Sequence, residues 1–147
     1  MSGKGNILIA DDEQSLRLVL DTILRKDGYE VDTAENGKQA VEMVITGEYD
    51  MVILDIRMPL LDGMQAFREI HKVKPDLPVL LMTAYGSGYD AVEAMKRGAF
   101  DYITKPFNVE QVKFHVAQAI RMRRLTCEVE ELFQEVKALS QYNKTET

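Results

Sequence analysis

Short apolar runs alternate with longer amphipathic segments along this chain. Residues 7–10, 51–54 and 79–82 form unbroken apolar runs. Such runs are typical of parallel strands that are covered on both faces, so we expect three central strands. Residues 29–34 alternate apolar with polar side chains, which predicts a half-exposed edge strand, and residues 101–103 predict a short fifth strand.

Amphipathic stripes at helical spacing separate the predicted strands. They lie at residues 16–24, 40–45, 67–73 and 91–95, and a fifth begins near Asn108. Residues that end helices follow the first three stripes, namely Gly28, Gly47 and Pro75. This alternation predicts a doubly wound α/β fold with a parallel sheet, because parallel strands are joined by right-handed helical crossovers.

Composition narrows the class of protein. With 147 residues and 46% hydrophobic content, the chain has material for one packed domain and an appendage. The apolar runs are too short to span a bilayer, the first residues lack the apolar core of a signal peptide, and Cys127 is the only cysteine. We therefore expect a soluble cytoplasmic protein without membrane contact. A net charge of −6 argues against direct nucleic-acid binding, which requires clustered Lys and Arg.

Polar residues stand at the carboxyl ends of the predicted strands. The first strand is followed by Asp11 and Asp12, the third by Asp55, the fourth by Thr83 and Ala84, and the fifth by Lys105. Parallel strands bring these ends to one rim, so the carboxylates should lie close together. Crowded carboxylates repel one another, and oxygen ligands at an open site favour Mg²⁺. An acidic pair after a strand can also serve only as a helix cap.

The same residues supply what phosphoryl transfer to an aspartate requires. Asp55 would be the nucleophile, because a carboxylate that ends a buried strand is costly without a partner. Lys105 would neutralise the transferred group, and the Thr83 hydroxyl and the backbone after it would donate hydrogen bonds. Arg57 and Tyr85 lie two residues beyond Asp55 and Thr83, so we expect them at the pocket mouth, where they would obstruct an incoming water.

An ordered set of motifs in this sequence is shared with a known family. It consists of Asp11-Asp12, Asp55, Met58-Pro59, Asp62-Gly63, Thr83-Ala84 and Lys105-Pro106-Phe107. The set resembles the receiver domain of bacterial two-component response regulators, over about residues 5–122. The resemblance implies a flavodoxin-like sheet of order 2-1-3-4-5 and phosphorylation of the matching Asp55 by a sensor histidine kinase.

The resemblance also implies roles in metal binding. Asp12 and Asp55 would bind Mg²⁺ directly, together with the backbone carbonyl of Arg57. Asp11 would act largely through water, and the peptide bond between Lys105 and Pro106 would be cis.

A switch and an output follow from the same resemblance. Thr83 and Tyr102 would move together on phosphorylation and change the surface of the fourth helix, fifth strand and fifth helix. Residues 82–86 and 91–107 resemble receivers of the nitrogen-regulatory, enhancer-binding activators, which place a receiver ahead of an ATPase and a DNA-binding module. The expected function is control of a transcription-activating output, and the alternative is a stand-alone receiver that acts through protein contacts.

Three rival functions fit the sequence less well. A haloacid-dehalogenase-type phosphatase needs a second Asp two residues after the nucleophile, where this chain has Arg57. A dinucleotide-binding domain needs Gly-x-Gly-x-x-Gly after the first strand, where acidic residues stand here. A receiver-like module that has lost phosphorylation is disfavoured by the complete residue set.

A heptad stripe continues past the receiver-like region. Its members are Met122, Leu125, Val129, Leu132, Val136 and Leu139. The later a positions are Val and the d positions are Leu, which favours a parallel two-stranded coiled coil. We therefore predict a receiver over residues 1–122 and a helical linker over 123–147 that forms a homodimer. The alternative is that the stripe folds back on its own receiver.

Overall fold

The computed structural model describes residues 4–58, 60–83 and 88–145, without the side chains of 88–91 and 142–145. Strands and helices alternate strictly along the described chain. In chain order they are β1 (Asn6–Ala10), α1 (Gln14–Lys26), β2 (Glu30–Ala34), α2 (Gly37–Thr46), β3 (Met51–Asp55), α3 (Gly63–Val73), β4 (Val79–Thr83), α4 (Gly88–Lys96), β5 (Asp101–Thr104) and α5 (Val109–Thr145).

The strands form one parallel sheet of order β2-β1-β3-β4-β5. This confirms the predicted doubly wound, flavodoxin-like fold. The register brings the carboxyl ends level, since Ala10 pairs with both Ala34 and Leu54, and Thr83 pairs with Thr104. Residues that follow these ends therefore meet at one rim of the sheet, as parallel topology requires.

Both faces of the sheet are covered. Strands β3 and β4 are buried along their whole length, whereas in β2 at the edge only Val31 and Ala34 are buried. Leu8 on one face of β1 belongs to a core cluster with α2 and α3, while Ile7 and Ile9 on the other face pack with α1 and α5. This alternation follows from the two-residue period of a strand.

The starts of the helices bear on the capping alternative for the acidic pair. Helix α3 is capped by Asp62, whose side chain accepts a hydrogen bond from the Gln65 N–H at 2.9 Å. Helix α1 has Glu13 as its N-cap residue and no side-chain cap bond. The Asp11 carboxylate accepts one hydrogen bond from the backbone N–H of Glu13, before the helix begins, and another from Lys105. Capping α1 therefore does not account for the acidic pair.

Helix α5 runs without a break from Val109 to Thr145. Its first part packs on the sheet through Val112, Val116 and Ile120, which are buried. The six predicted seam residues from Met122 onward are between 42% and 64% exposed. The alternative in which this stripe folds back on its own receiver is therefore wrong.

Candidate functional site

Three carboxylates meet at the carboxyl end of the sheet. Asp55 is the last residue of β3 and is 5% exposed, Asp11 follows β1 and is fully buried, and Asp12 is exposed. One oxygen from each lies within 4.8 Å of the others. The sheet thus brings together the three carboxylates that the sequence predicted as metal ligands.

Lys105 links the two buried carboxylates. Its Nζ lies 2.9 Å from Oδ2 of Asp55 and 3.2 Å from Oδ2 of Asp11. Burial lowers the pKa of Lys105, but the hydrogen bond and charge of Asp55, followed by those of Asp11, outweigh burial and raise its pKa overall. The backbone N–H of Lys105 donates to the Thr83 carbonyl at 2.7 Å, and the bond to Pro106 is cis, as the resemblance implied.

Backbone N–H groups hold the other carboxylate oxygens. Glu13 N–H donates to Oδ1 of Asp11 at 2.9 Å, and Arg57 N–H donates to Oδ1 of Asp55 at 3.2 Å. Each buried carboxylate therefore accepts a hydrogen bond from a backbone N–H at one oxygen and from Lys105 at the other. This arrangement compensates for the loss of water around the two charges.

A close backbone approach follows the end of β3. The Gly63 N–H donates to the carbonyl of Ile56 at 2.7 Å, and a Cβ at Gly63 would stand 2.1 Å from the carbonyl oxygen of Asp55. Only glycine permits this contact. In the Asp62-Gly63 motif, Asp62 therefore caps α3, and Gly63 allows the backbone to pass close to Asp55.

The cluster fits a hard divalent cation. All its candidate ligand atoms are oxygens, and two of the three carboxylates are buried with a single ammonium group between them. Three carboxylates carry more negative charge than one lysine offsets. Mg²⁺ prefers oxygen ligands of this kind at a site open to solvent.

A family model for the response regulator receiver domain matches residues 7–117 of this chain. The chain belongs to the response regulator receiver domain family. Receiver domains are generally regulatory rather than catalytic, so membership disfavours the phosphatase and the dinucleotide-binding domain considered above. The predicted resemblance is thereby confirmed.

Similar proteins agree with this assignment. The chain is 38% identical over 134 residues to the regulatory protein AtoC of Escherichia coli, covering 91% of this chain and 29% of AtoC. It is 42% identical over 127 residues to the transcriptional regulatory protein ZraR of Klebsiella oxytoca, covering 86% of this chain and 29% of ZraR. The crystal structure of NtrX from Brucella abortus superposes with a TM-score of 0.81 at 34% identity, covering 87% of this chain and 29% of that one. The chain therefore spans under a third of each of these longer proteins.

The predicted switch residues occupy different surroundings in the receiver. Thr83 ends β4 and is buried, whereas Tyr102 on β5 is 40% exposed. Arg57 is exposed at the rim. Ala84 and Tyr85, for which we also predict site roles, lie outside the described residues.

Sequence reasoning missed Arg17. Its guanidinium donates through Nη1 to the backbone carbonyl of Asp11 at 2.6 Å, and its side chain is 12% exposed. A signal for it was present, because a residue one turn into α1 can reach back over the end of β1. A single arginine in an amphipathic helix, however, is usually a solvated residue.

The described part of the chain, residues 4–58, 60–83 and 88–145, contains no helix that is long and apolar enough to cross a membrane.

Proposed function

We propose that this receiver accepts a phosphoryl group on Asp55 from a sensor histidine kinase, in a reaction that requires Mg²⁺. The main supporting observation is the position of Asp55. It is a buried carboxylate with Lys105 Nζ at 2.9 Å and two further carboxylates within 4.8 Å. A structural ion pair alone would not need the additional exposed carboxylate of Asp12 at the same point.

The transfer uses a small number of side chains. An Asp55 oxygen forms a bond to phosphorus as the P–N bond of the donor phosphohistidine breaks, and the electron pair stays on the imidazole nitrogen. Lys105 moves its hydrogen bond from the carboxylate to a phosphoryl oxygen and balances the added charge. Thr83 and the Ala84 N–H donate to the other phosphoryl oxygens.

The acidic residues would hold the metal ion. Asp12, Asp55 and the carbonyl of Arg57 are the proposed direct ligands, and Asp11 is proposed to act largely through water. When bound, Mg²⁺ would offset the charge of the carboxylates and of the incoming phosphoryl group. The chain would catalyse only its own phosphorylation and dephosphorylation, which fits a regulatory domain.

Phosphorylation would change the surface formed by α4, β5 and α5. Thr83 moves toward the phosphoryl group, and Tyr102, which is exposed here, turns into the space beside it. AtoC and ZraR are named as regulatory proteins, the latter transcriptional, and each extends well beyond the matched region. We therefore propose a transcription-activating output and a cytoplasmic location, with a stand-alone receiver as the alternative.

Labelling with a small phosphodonor tests the acceptor. The full chain is incubated with acetyl phosphate, with and without Mg²⁺, and its intact mass is measured. We expect one phosphoryl increment that requires Mg²⁺ and is absent from Asp55→Asn. Asp76→Asn, a matched change at an exposed position, should label like the parent. A phosphoryl increment that persists in Asp55→Asn would contradict the assignment.

We also propose that the receiver forms a parallel homodimer through the outer half of α5. The supporting observation is that the seam residues, from Met122 to Leu139, stay exposed while the helix continues unbroken through them. An isolated helix with such a stripe is marginal in water, and a second copy would cover it. Receivers joined in this way would hold two linkers side by side.

A further inference from the structure

Arg17 lies at the point where β1 turns into α1. Its backbone N–H donates to the carbonyl of Glu13 at 3.1 Å, which places it in the first turn of the helix. Its side chain reaches back to the carbonyl oxygen of Asp11 at 2.6 Å, and Nη2 lies 3.8 Å from the exposed carboxylate of Glu35. The short contact to the backbone is therefore the main interaction, and the ion pair is secondary.

The carbonyl that Arg17 contacts lies just beyond the sheet. The last residue pair of β1 is Ala10 with Ala34, and the Asp11 N–H still donates to the Ala34 carbonyl at 3.2 Å. Asp11 is fully buried, so its own carbonyl needs a donor where the strand has ended. Arg17 supplies that donor, and both sides of the Asp11 backbone are then held.

The next residue is the least supported of the three acidic side chains. The carboxylates of Asp11 and Asp55 are each held by a backbone N–H and by Lys105. Asp12 is exposed, and its carboxylate has no recorded hydrogen bond or ion pair to any residue that the structure describes. Its direction therefore depends on its backbone. The peptide between residues 11 and 12 is planar, so a fixed carbonyl restricts the orientation of Asp12 as well.

We infer that Arg17 is a positioning residue for the Mg²⁺ site, which fixes the peptide between Asp11 and Asp12 and thereby directs the Asp12 carboxylate toward Asp55. This inference rests on the proposed function. Groups that orient metal ligands from outside the coordination sphere commonly change metal affinity when they are removed.

Charge and position make opposite predictions for this residue. The guanidinium is a cation close to a site that would bind a cation, so removing its charge alone would strengthen Mg²⁺ binding. Removing its hydrogen bond would release the peptide and weaken binding. The sign of the change in affinity therefore distinguishes a positioning role from a purely electrostatic one.

Helix α1 provides a matched control. Arg25 also donates from α1 to a strand carbonyl, that of Val31, but it lies at the other end of the helix, away from the carboxylates. Both changes to Met remove a charge and a hydrogen bond from the helix to a backbone carbonyl, and Arg25→Met also removes the ion pair with Asp21. Only the change at Arg17 should alter the metal site.

Mg²⁺ alone, titrated calorimetrically into the unphosphorylated full chain, measures the effect. Arg17→Met should raise the dissociation constant about tenfold. Arg17→Lys keeps the charge and one donor, so its rise should be smaller, about threefold. Arg25→Met should stay within about twofold of the parent. Urea unfolding verifies that each variant is folded, and Arg17→Gln replaces the Met variant if that one does not fold.

The outcomes separate this inference from the proposal beneath it. A folded Arg17→Met, or Arg17→Gln in its place, that binds Mg²⁺ as tightly as the parent or more tightly overturns the positioning role. An equal loss of affinity in Arg25→Met also overturns it, because a general loss of helix packing would then explain both. A parent chain with no measurable Mg²⁺ binding contradicts the proposed function itself.

Discussion

The carboxylate pocket and the outer half of α5 differ in how far a single chain provides partners for their side chains. In the pocket, both oxygens of Asp11 and of Asp55 have partners, supplied by backbone N–H groups and by Lys105. On α5, the apolar seam from Met122 to Leu139 is mostly exposed. A buried charge needs a partner within the folded monomer, because leaving it unpaired costs several kcal/mol of folding free energy. An exposed apolar stripe does not carry that cost. A single copy therefore supplies partners for both buried carboxylates, whereas the exposed stripe would be covered only in the proposed dimer.

The strongest test of this contrast places a charge in the seam. Leu132→Asp would bury two carboxylates in the proposed dimer, so the dissociation constant should rise at least about 1,000-fold, which is about 4 kcal/mol. Sedimentation velocity over a concentration series measures it. Gln134→Asp adds the same charge off the seam and should dimerise like the parent. A monomeric parent, or a Leu132→Asp variant that dimerises as tightly as the parent, would refute the seam.

The pocket should be the more sensitive region to added volume. Gly63→Ala places a Cβ 2.1 Å from the Asp55 carbonyl oxygen, so the backbone must shift, and we expect a loss of about 3 kcal/mol in the free energy of unfolding. Gly28→Ala is the control, because a Cβ at Gly28 meets no atom closer than 3.6 Å but the residue has a φ of +99°. This variant should lose only about 1 kcal/mol of unfolding free energy. Urea denaturation measures both. Equal losses would mean that the close approach behind Asp55 is unimportant.

A pair of identical changes sharpens the comparison within one helix. Val116 is fully buried and Val129 is exposed, although both lie on α5. Val116→Ala should cost about 2 kcal/mol of unfolding free energy, because a cavity forms, while Val129→Ala should cost less than about 0.5 kcal/mol in the monomer. Unfolding at low protein concentration keeps dimerisation out of the measurement. A large loss in Val129→Ala under those conditions would show that the outer half is packed in the monomer.

The smallest expected effect concerns the mouth of the pocket. Arg57 is exposed at the rim, and the sequence predicts Tyr85 beside it as a second obstacle to water. Replacing both by Ala should accelerate loss of the phosphoryl group about three- to tenfold, since each obstacle contributes under about 1 kcal/mol to the barrier. Release of inorganic phosphate from labelled chain follows the rate. An unchanged or slower rate would show that these side chains do not exclude water.

Much of the fold and of the pocket could be predicted from local pattern. Unbroken apolar runs identified β1, β3 and β4, and the predicted strand ends lie within one residue of those observed. Once parallel strands are inferred, their carboxyl ends must share a rim, so Asp11, Asp55 and Lys105 could be brought together without any distance information. The heptad spacing likewise predicted a helix that continues past the receiver.

What the pattern left open are contacts whose existence depends on the angle and spacing between elements. The sequence by itself determined the order of elements, the rim and the residue types on it, because strand and helix periods and parallel topology are properties of the chain. Only the tertiary structure decided that Arg17 reaches the Asp11 carbonyl, that Tyr102 faces outward and that the seam stays off the receiver. Each of these depends on how a side chain packs against a neighbouring element. Periodicity in the sequence does not determine the distance or angle between two elements.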